Sequence, residues 1–364
     1  MMHRTIQSMI LGGFWMILSV PGTGLAAGSY QQTDLITSAT DSDLINPWGI
    51  SYGPTGPFWV SDNGTGKTTL YNGAGTKLGL VVSIPSGSEP ITGQVFNGTP
   101  SFKGNAFLFA SENGTIAGWR PALGTSAESV FAVPGAVYKG LAISDAKDRL
   151  YAANFHSGAI DVFDSTHSAP IASFIDPVAP AGYAPFNIQN LGGRLIVTFA
   201  LQNGAGHDDV AGVGHGIVDI FDPATDAFTR LITGSAAGGP VTALDSPWGV
   251  ALAPSGFGKF GGSLLVANFG DGVINAFDPT SGALLGSLDD GKGKALVNPG
   301  VWGLTFGNGG SGGDKNLLYF TAGGAGEDIG VFGQIKAVPE PASMLIGLIG
   351  AGLVIVRWRS GRRC

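Results

Sequence analysis

The chain repeats itself, and that repeat restricts its folds more than any other feature. Asn46-Pro47-Trp48-Gly49-Ile50, Ser246-Pro247-Trp248-Gly249-Val250 and Pro299-Gly300-Val301-Trp302-Gly303-Leu304 are versions of one phrase. Each opens a segment of the same order: an apolar run, a Gly/Pro turn, a second apolar run, a polar Gly-containing loop and a third run. The last two runs are plainest at residues 150–164 and 264–278, which share Ala-Asn-Phe before the loop and Phe-Asp after it. Weaker copies begin at Phe58, Phe107, Leu195 and Leu317. With Asp62, Glu112, Asn154, Phe199, Asn268 and Thr321 as equivalent positions, the spacings are 50, 42, 45, 69 and 53 residues. The long gap falls on extra residues around the fourth copy. Three or four short strands recurring at this interval are the signature of propeller blades, so six copies predict an all-β, six-bladed β-propeller. The sixth copy lacks an outer strand. Residues 30–38, which precede the first copy, are expected to supply it, closing the ring and covering an open edge.

Composition agrees. The 61 glycines and 21 prolines sit between short apolar runs, where tight connections need them. Asn-Gly, the dipeptide favoured in two-residue hairpins, occurs at 63, 72, 97, 113, 203 and 308. A net charge of −7 argues against nucleic acid and against anionic membrane surfaces as partners. The segments resemble NHL-type repeats, with their Pro-x-Gly opening, inner strand and terminal apolar-Asp strand. The chain as a whole is similar to an uncharacterised family of exported six-bladed propellers, a resemblance that implies the fold and names no activity.

Both ends point to export. Residues 1–8 carry His3 and Arg4, residues 9–20 are mostly apolar, and Leu25-Ala26-Ala27 offers small residues for cleavage. That is the pattern of a secretory signal peptide over 1–27, leaving a propeller domain of 28–337. The one cysteine is Cys364, so the domain uses neither an internal disulfide nor cysteine-ligated zinc. At the other end, Val338-Pro339-Glu340-Pro341 precedes an uncharged apolar run over 342–356, then Arg357, Trp358, Arg359, Arg362 and Arg363. As a helix the run would reach about 22 Å against a hydrocarbon core of about 30 Å, a marginal single span. The order Pro-Glu-Pro, apolar span, basic cluster over 338–364 resembles the PEP-CTERM sorting signal of Gram-negative bacteria. That resemblance implies transient anchoring in the inner membrane and processing by an exosortase-type membrane protease, in organisms that make extracellular polysaccharide.

In a propeller, the loop after each second strand and the loop entering the next inner strand share one face around the channel mouth. The copies gather Asp62, Glu112, Asn154, His156, Asn268 and Asp271 there, with Glu327 and Asp328. Asn46, Glu89, Lys139, Asn187, Asp245 and Asn298 enter from the other loops. Carboxylates and amides suit a hard cation such as calcium or the hydroxyls of a sugar, although turns use the same residues. Asp62, Glu112, Asn154 and Asn268 match the Glu/Asn/Asn/Asp calcium set of propeller lactonases in residue type. The densest stretch is Asn203 to Gly216, an insertion whose His207, Asp208 and Asp209 are candidate ligand contacts together with His156. Its His-Asp-Asp-Val-Ala-Gly run resembles a motif of the exported propeller family. Trp48, Trp248 and Trp302 are expected to pack between blades. Gly64-Thr-Gly-Lys-Thr68 lacks full phosphate-loop spacing, and no Gly-x-Ser-x-Gly elbow occurs. The expected function is a non-catalytic binding or structural protein of the cell envelope or extracellular matrix, with polysaccharide or an envelope protein as partner. The alternative left open is a calcium-dependent lactonase- or esterase-like hydrolase.

Overall fold

Apolar runs of four to nine residues, broken by Gly, Asn and Asp, are too short for stable helices and long enough for strands. The computed structural model describes residues 28–85 and 90–338, and in it these runs pair as antiparallel hairpins. The first strand, β1 (Ser29–Thr37), stands apart from the repeats. Blade one is β2 (Pro47–Tyr52), β3 (Phe58–Asp62), β4 (Lys67–Tyr71) and β5 (Lys77–Ser83). Blade two is β6 (Ile91–Phe96), β7 (Phe107–Ser111), β8 (Thr115–Trp119) and β9 (Glu128–Ala132). Blade three is β10 (Tyr138–Ile143), β11 (Arg149–Asn154), β12 (Ala159–Asp164) and β13 (Ala172–Ile175). The long fourth blade is β14 (Tyr183–Leu191), β15 (Arg194–Leu201), β16 (Ile217–Asp222) and β17 (Ala227–Thr233). Blade five is β18 (Pro247–Leu252), β19 (Leu264–Asn268), β20 (Ile274–Phe277) and β21 (Leu284–Ser287). The last sheet runs β22 (Val301–Phe306), β23 (Leu318–Ala322), β24 (Val331–Val338), with β1 outermost. This is an all-β six-bladed propeller, in which the helical residues are short 3-10 turns.

β1 pairs antiparallel with β24 from Ser29↔Val338 to Thr37↔Val331. Tyr30 carries that strand across to the fifth blade. Its hydroxyl donates to Phe257 O at 3.0 Å and accepts from Phe260 N at 3.1 Å, and its ring stacks on Phe260.

Alternating side chains from facing sheets form an apolar layer between neighbouring blades. Trp59, Leu70, Phe107 and Trp119 fill the layer between the first two, for example. The three repeat tryptophans also pack between blades, but on the axis rather than in these layers. Trp48, Trp248 and Trp302 meet on the axis, where Trp48 stacks on Trp302 at 3.6 Å and both meet Trp248 edge-on near 5.9 and 5.8 Å. Phe155, Phe186 and Phe269 complete this plug. The cause is local: every inner strand has a register shift at this point, such as Pro47/Ile50 in β2 and Pro247/Val250 in β18. A bulge there turns one side chain per blade toward the axis.

The expected Asn-Gly two-residue hairpins are not what forms at residues 63 and 72. Asn63-Gly64 lies in a 3-10 turn whose left-handed residue is Gly66 (φ 65°). Asn72 shapes a longer connection by accepting from the amides of Ala74 and Thr76, both at 2.9 Å. The expected signal peptide over 1–27, Glu89, the Pro339-Glu340-Pro341 motif, the apolar run over 342–356 and Arg357, Arg359, Arg362 and Arg363 lie outside the described residues. Among the described residues no helix is long and apolar enough to cross a membrane.

Candidate functional site

The β15–β16 connection folds inward over the channel mouth. Gln202 and Asp209 form a bridge, Val210 N donates to Leu201 O, and Asn203 N donates to Asp208 O, each at 2.7 Å. Asn203 Oδ1 accepts from the amides of Ala205 and His207 at 3.1 Å, an Asx-type turn that sets the tip. His215 holds the returning limb, its Nδ1 2.7 Å from Val210 O, while Gly212 N donates to Asp245 Oδ1 at 2.7 Å. The segment is thus a fixed loop, and it presents His207, Asp208 and Asp209 to a pocket of about 340 Å³.

Glu112, Lys139, Asn63 and Glu327 form the rest of the polar lining, with Trp48, Trp302 and Phe269 as the floor. Lys139 and Glu112 form a buried ion pair, with side chains 3% and 6% exposed. Lys139 Nζ also lies 3.9 Å from Asp208 Oδ1 and 5.2 Å above the Trp48 ring. His207 Nδ1 is 2.7 Å from Asp208 Oδ1. Asn46, in the left-handed region at φ 44°, ties the floor to the rim. Its amide donates to Glu327 Oε2 at 2.7 Å and Asn63 Oδ1 at 3.0 Å, and its oxygen accepts from Trp302 Nε1 at 2.9 Å. Burial pushes the Asp209 and Glu327 carboxyls up from their ordinary values, with Lys139 opposing in both cases. One lining group, Trp48 Nε1, is buried without a hydrogen-bond partner, and the Asp209 carboxyl has the Ser246 hydroxyl as its nearest donor.

The four residues matched to a calcium set do not converge. The ladder pairs Pro47 with Asp62, Tyr138 with Asn154 and Pro247 with Asn268, but Ile91 with Ser111. Glu112 therefore lies one residue beyond the equivalent position, and a one-residue step reverses the face on which a side chain stands. Blade six shifts the other way, pairing Val301 with Ala322, one residue beyond Thr321. Glu112 lines the pocket, whereas Asp62, Asn154 and Asn268 are buried within their sheets. Asn154 donates to Asp161 Oδ2 at 2.9 Å, and Asn268 to Ala243 O at 2.9 Å. His156 is exposed beside Gly206, outside the pocket lining. Among the described residues, Glu112, His207 and Asp208 bring three ligand atoms within 4.8 Å of one another. Lys139 was visible in the sequence as a charge in the aromatic position, where Tyr138-Lys139-Gly140 stands for Pro47-Trp48-Gly49.

Two uncharacterised proteins of Acanthamoeba polyphaga mimivirus are similar in sequence. One is 33% identical over 307 residues, covering 78% of this chain and 72% of the relative. The other is 32% identical over 294 residues, covering 74% and 75%. No protein-family model matches the chain. Among solved structures, virginiamycin B lyase from Staphylococcus aureus superposes with a TM-score of 0.51 at 15% identity, over 85% of this chain and 99% of that one. A streptogramin B lyase gives 0.53 at 10%, over 86% and 99%, and hydrazine synthase of Kuenenia stuttgartiensis 0.51 at 16%, over 76% and 74%. At such identities the likeness is one of fold.

Proposed function

The chain belongs to the family of those mimivirus proteins, and from that premise we propose that it is a binding protein holding a neutral, hydroxyl-rich ligand, a glycan, at the channel mouth. The observation that carries this reading is the pocket's construction. Carboxylates and a histidine stand around a half-exposed Phe269 ring, with the unpartnered Trp48 Nε1 beside it. Sugar hydroxyls donate to the carboxylates and accept from the indole, and the apolar face of the ring covers Phe269. The reading extends to export through the signal peptide, transient anchoring and exosortase-type processing of the tail, and residence in the cell envelope or extracellular matrix, where polysaccharide is the natural partner.

A second reading, metal-dependent hydrolysis, has the Glu112, His207 and Asp208 cluster in its favour. A donor set containing histidine suits a transition-type ion better than calcium. Lys139 already supplies the compensating cation, being paired with Glu112 and close to Asp208. The binding reading therefore ranks first. The purified protein is expected to bind neutral polysaccharide fragments in calorimetry, with Asp208→Asn losing binding at unchanged melting temperature and Phe269→Ala losing both binding and some stability, because its ring also stacks on Trp302. EDTA and added calcium should leave that temperature unchanged, since a ligand specific to the native state would raise it. A metal-dependent rise abolished by His207→Ala would replace the first reading with the second.

A further inference from the structure

The channel holds a second cavity, on the far side of the tryptophan plug. It measures about 320 Å³, begins beneath Gly49, Gly93 and Gly303 of the inner strands, and touches Trp248 rather than Trp48. We propose that this cavity is a ligand site in its own right, taking a small neutral polyhydroxylated ring the size of a monosaccharide.

Size admits such a ligand, for the volume lies at the lower end of the range of small-molecule pockets. Charge selects it. The polar side chains along the wall are Ser51, Gln94, Asn187, Gln189, Asn190, Tyr52 and Thr305, all neutral. The charged lining residues are Asp145 and Lys147, of opposite sign, and Asp145 is engaged by Asn190 Nδ2 at 2.8 Å. An ion entering past them would leave its water without gaining a counter-charge. Ile188, Leu141 and Leu304 alternate with the amides, as suits a ring with an apolar face and a hydroxylated edge.

Three orphaned groups strengthen the assignment, the first being the buried Ser51 hydroxyl. Gln94 is 6% exposed, and its Nε2 donates to Gly49 O at 2.8 Å and Trp59 O at 2.6 Å. Those two carbonyls fix the amide with nitrogen toward them, and Oε1 is left buried without a partner. Trp248, 3% exposed, likewise has a buried indole Nε1 without a partner. Buried polar groups in native proteins are hydrogen-bonded, to ligand or water where not to protein. Hydroxyls both donate and accept, so a polyol serves the amide oxygen and the indole alike.

The site shares no lining residue with the channel-mouth pocket, so it stands or falls separately. The test is titration of the full chain with D-glucose, N-acetyl-D-glucosamine and myo-inositol while following the indole N–H resonance of Trp248, assigned with Trp248→Phe. A saturable shift with at least one of the three is expected. Gln189→Trp, which fills the cavity from a half-exposed position, should weaken it about tenfold or more, and the milder Gln189→Leu serves if that variant fails to fold. Asp208→Asn at the other mouth should leave the response intact. No saturable shift with any of the three in the wild-type chain would show captive water alone and overturn the proposal. A shift that Asp208→Asn removes and both Gln189 variants spare would also overturn it.

Discussion

Asp62 ends β3 with no exposed surface, and the Thr69 hydroxyl, too poorly placed for a well-formed bond, is the group that offers its carboxyl a hydrogen bond. Burial, with repulsion from Asp41 and Asp43 added, pushes its pKa well above the ordinary 3.8. The folded chain keeps a proton that the unfolded chain releases, so this contribution to stability is full below the unfolded pKa and is lost as pH rises through the folded one. Its neighbours titrate the opposite way. Asp41, despite its burial, is held low by Lys77 and Tyr71, and Asp43 by Lys67 and Lys77, so their contributions are lost on acidification. The Asp62 effect is thus read as a difference between wild type and Asp62→Asn in urea melts across pH. Asparagine fills the same place in β11 and β19, so the variant fits. It should be more stable at neutral pH by about 1–3 kcal/mol, the cost of a poorly satisfied buried group, and converge with wild type in acid. A constant difference at all pH values would remove the charge from the explanation. Lys139 and Glu112 make a sharper pair. Lys139→Met leaves a buried carboxylate uncompensated and should cost about 3–5 kcal/mol, most of it recovered in Lys139→Met/Glu112→Leu. A double-mutant cycle measures the recovery.

At the scale of elements, strands announce themselves by composition, while the phase of a strand relative to its neighbours does not. The Pro-Trp-Gly triplets mark inner strands because a bulge requires a fixed pair of residues there. Ser-Asp-Asn-Gly in blade one and Ser-Glu-Asn-Gly in blade two have the pattern of one and the same hairpin. In the structure, residues 63–66 connect β3 to β4, but only residues 112–114 connect β7 to β8. That missing residue moves Glu112 from the sheet interior to the pocket, and no pairwise reading of the strings contains it. Glu327 was likewise visible as an acid but not as a partner of Asn46, since 281 residues separate them. The β1–β24 pairing we take to be what closes the ring. Removing residues 28–38 should expose β24 as a free edge, lower the melting temperature and yield strand-exchanged oligomers by light scattering. Tyr30→Phe keeps the strand and deletes only the hydroxyl's bonds to the fifth blade, so it should cost about 1–3 kcal/mol without oligomers. A truncated chain that stays monomeric and equally stable would place closure in the inner strands alone.

The whole molecule is held at its waist by absence of side chains. The inner-strand position after the tryptophans is Gly49, Gly93, Gly140, Asn187, Gly249 and Gly303 around the ring. A Cβ on Gly249 would lie 2.1 Å from Trp302 O of the next blade, and one on Gly303 would lie 2.6 Å from Trp48 O of the first. Each glycine admits the backbone of the following blade, and the contact at Gly303 joins the sixth blade to the first. Asn187 is the exception, and it uses its side chain instead: Nδ2 donates to Trp248 O at 2.9 Å. The sequence shows this position as a recurrent Trp-Gly, but not that every copy faces the next, because the approach is between segments about fifty residues apart and becomes visible only once the ring is closed. Radial contacts of this kind resist local relaxation, since moving one blade outward disturbs both channel cavities at once. Gly249→Ala is therefore expected to cost about 2–4 kcal/mol, at or above the upper end of core overpacking. Gly79→Ala, where nothing lies within 4 Å of the added carbon on β5, should be neutral or slightly stabilising. Chemical denaturation compares the two. Indole fluorescence should shift in the first variant and not in the second, because Trp48, Trp248 and Trp302 sit on the waist that the added methyl group spreads. Equal stability of the two variants would mean that the outer layers between blades, rather than the waist, set the diameter of the ring.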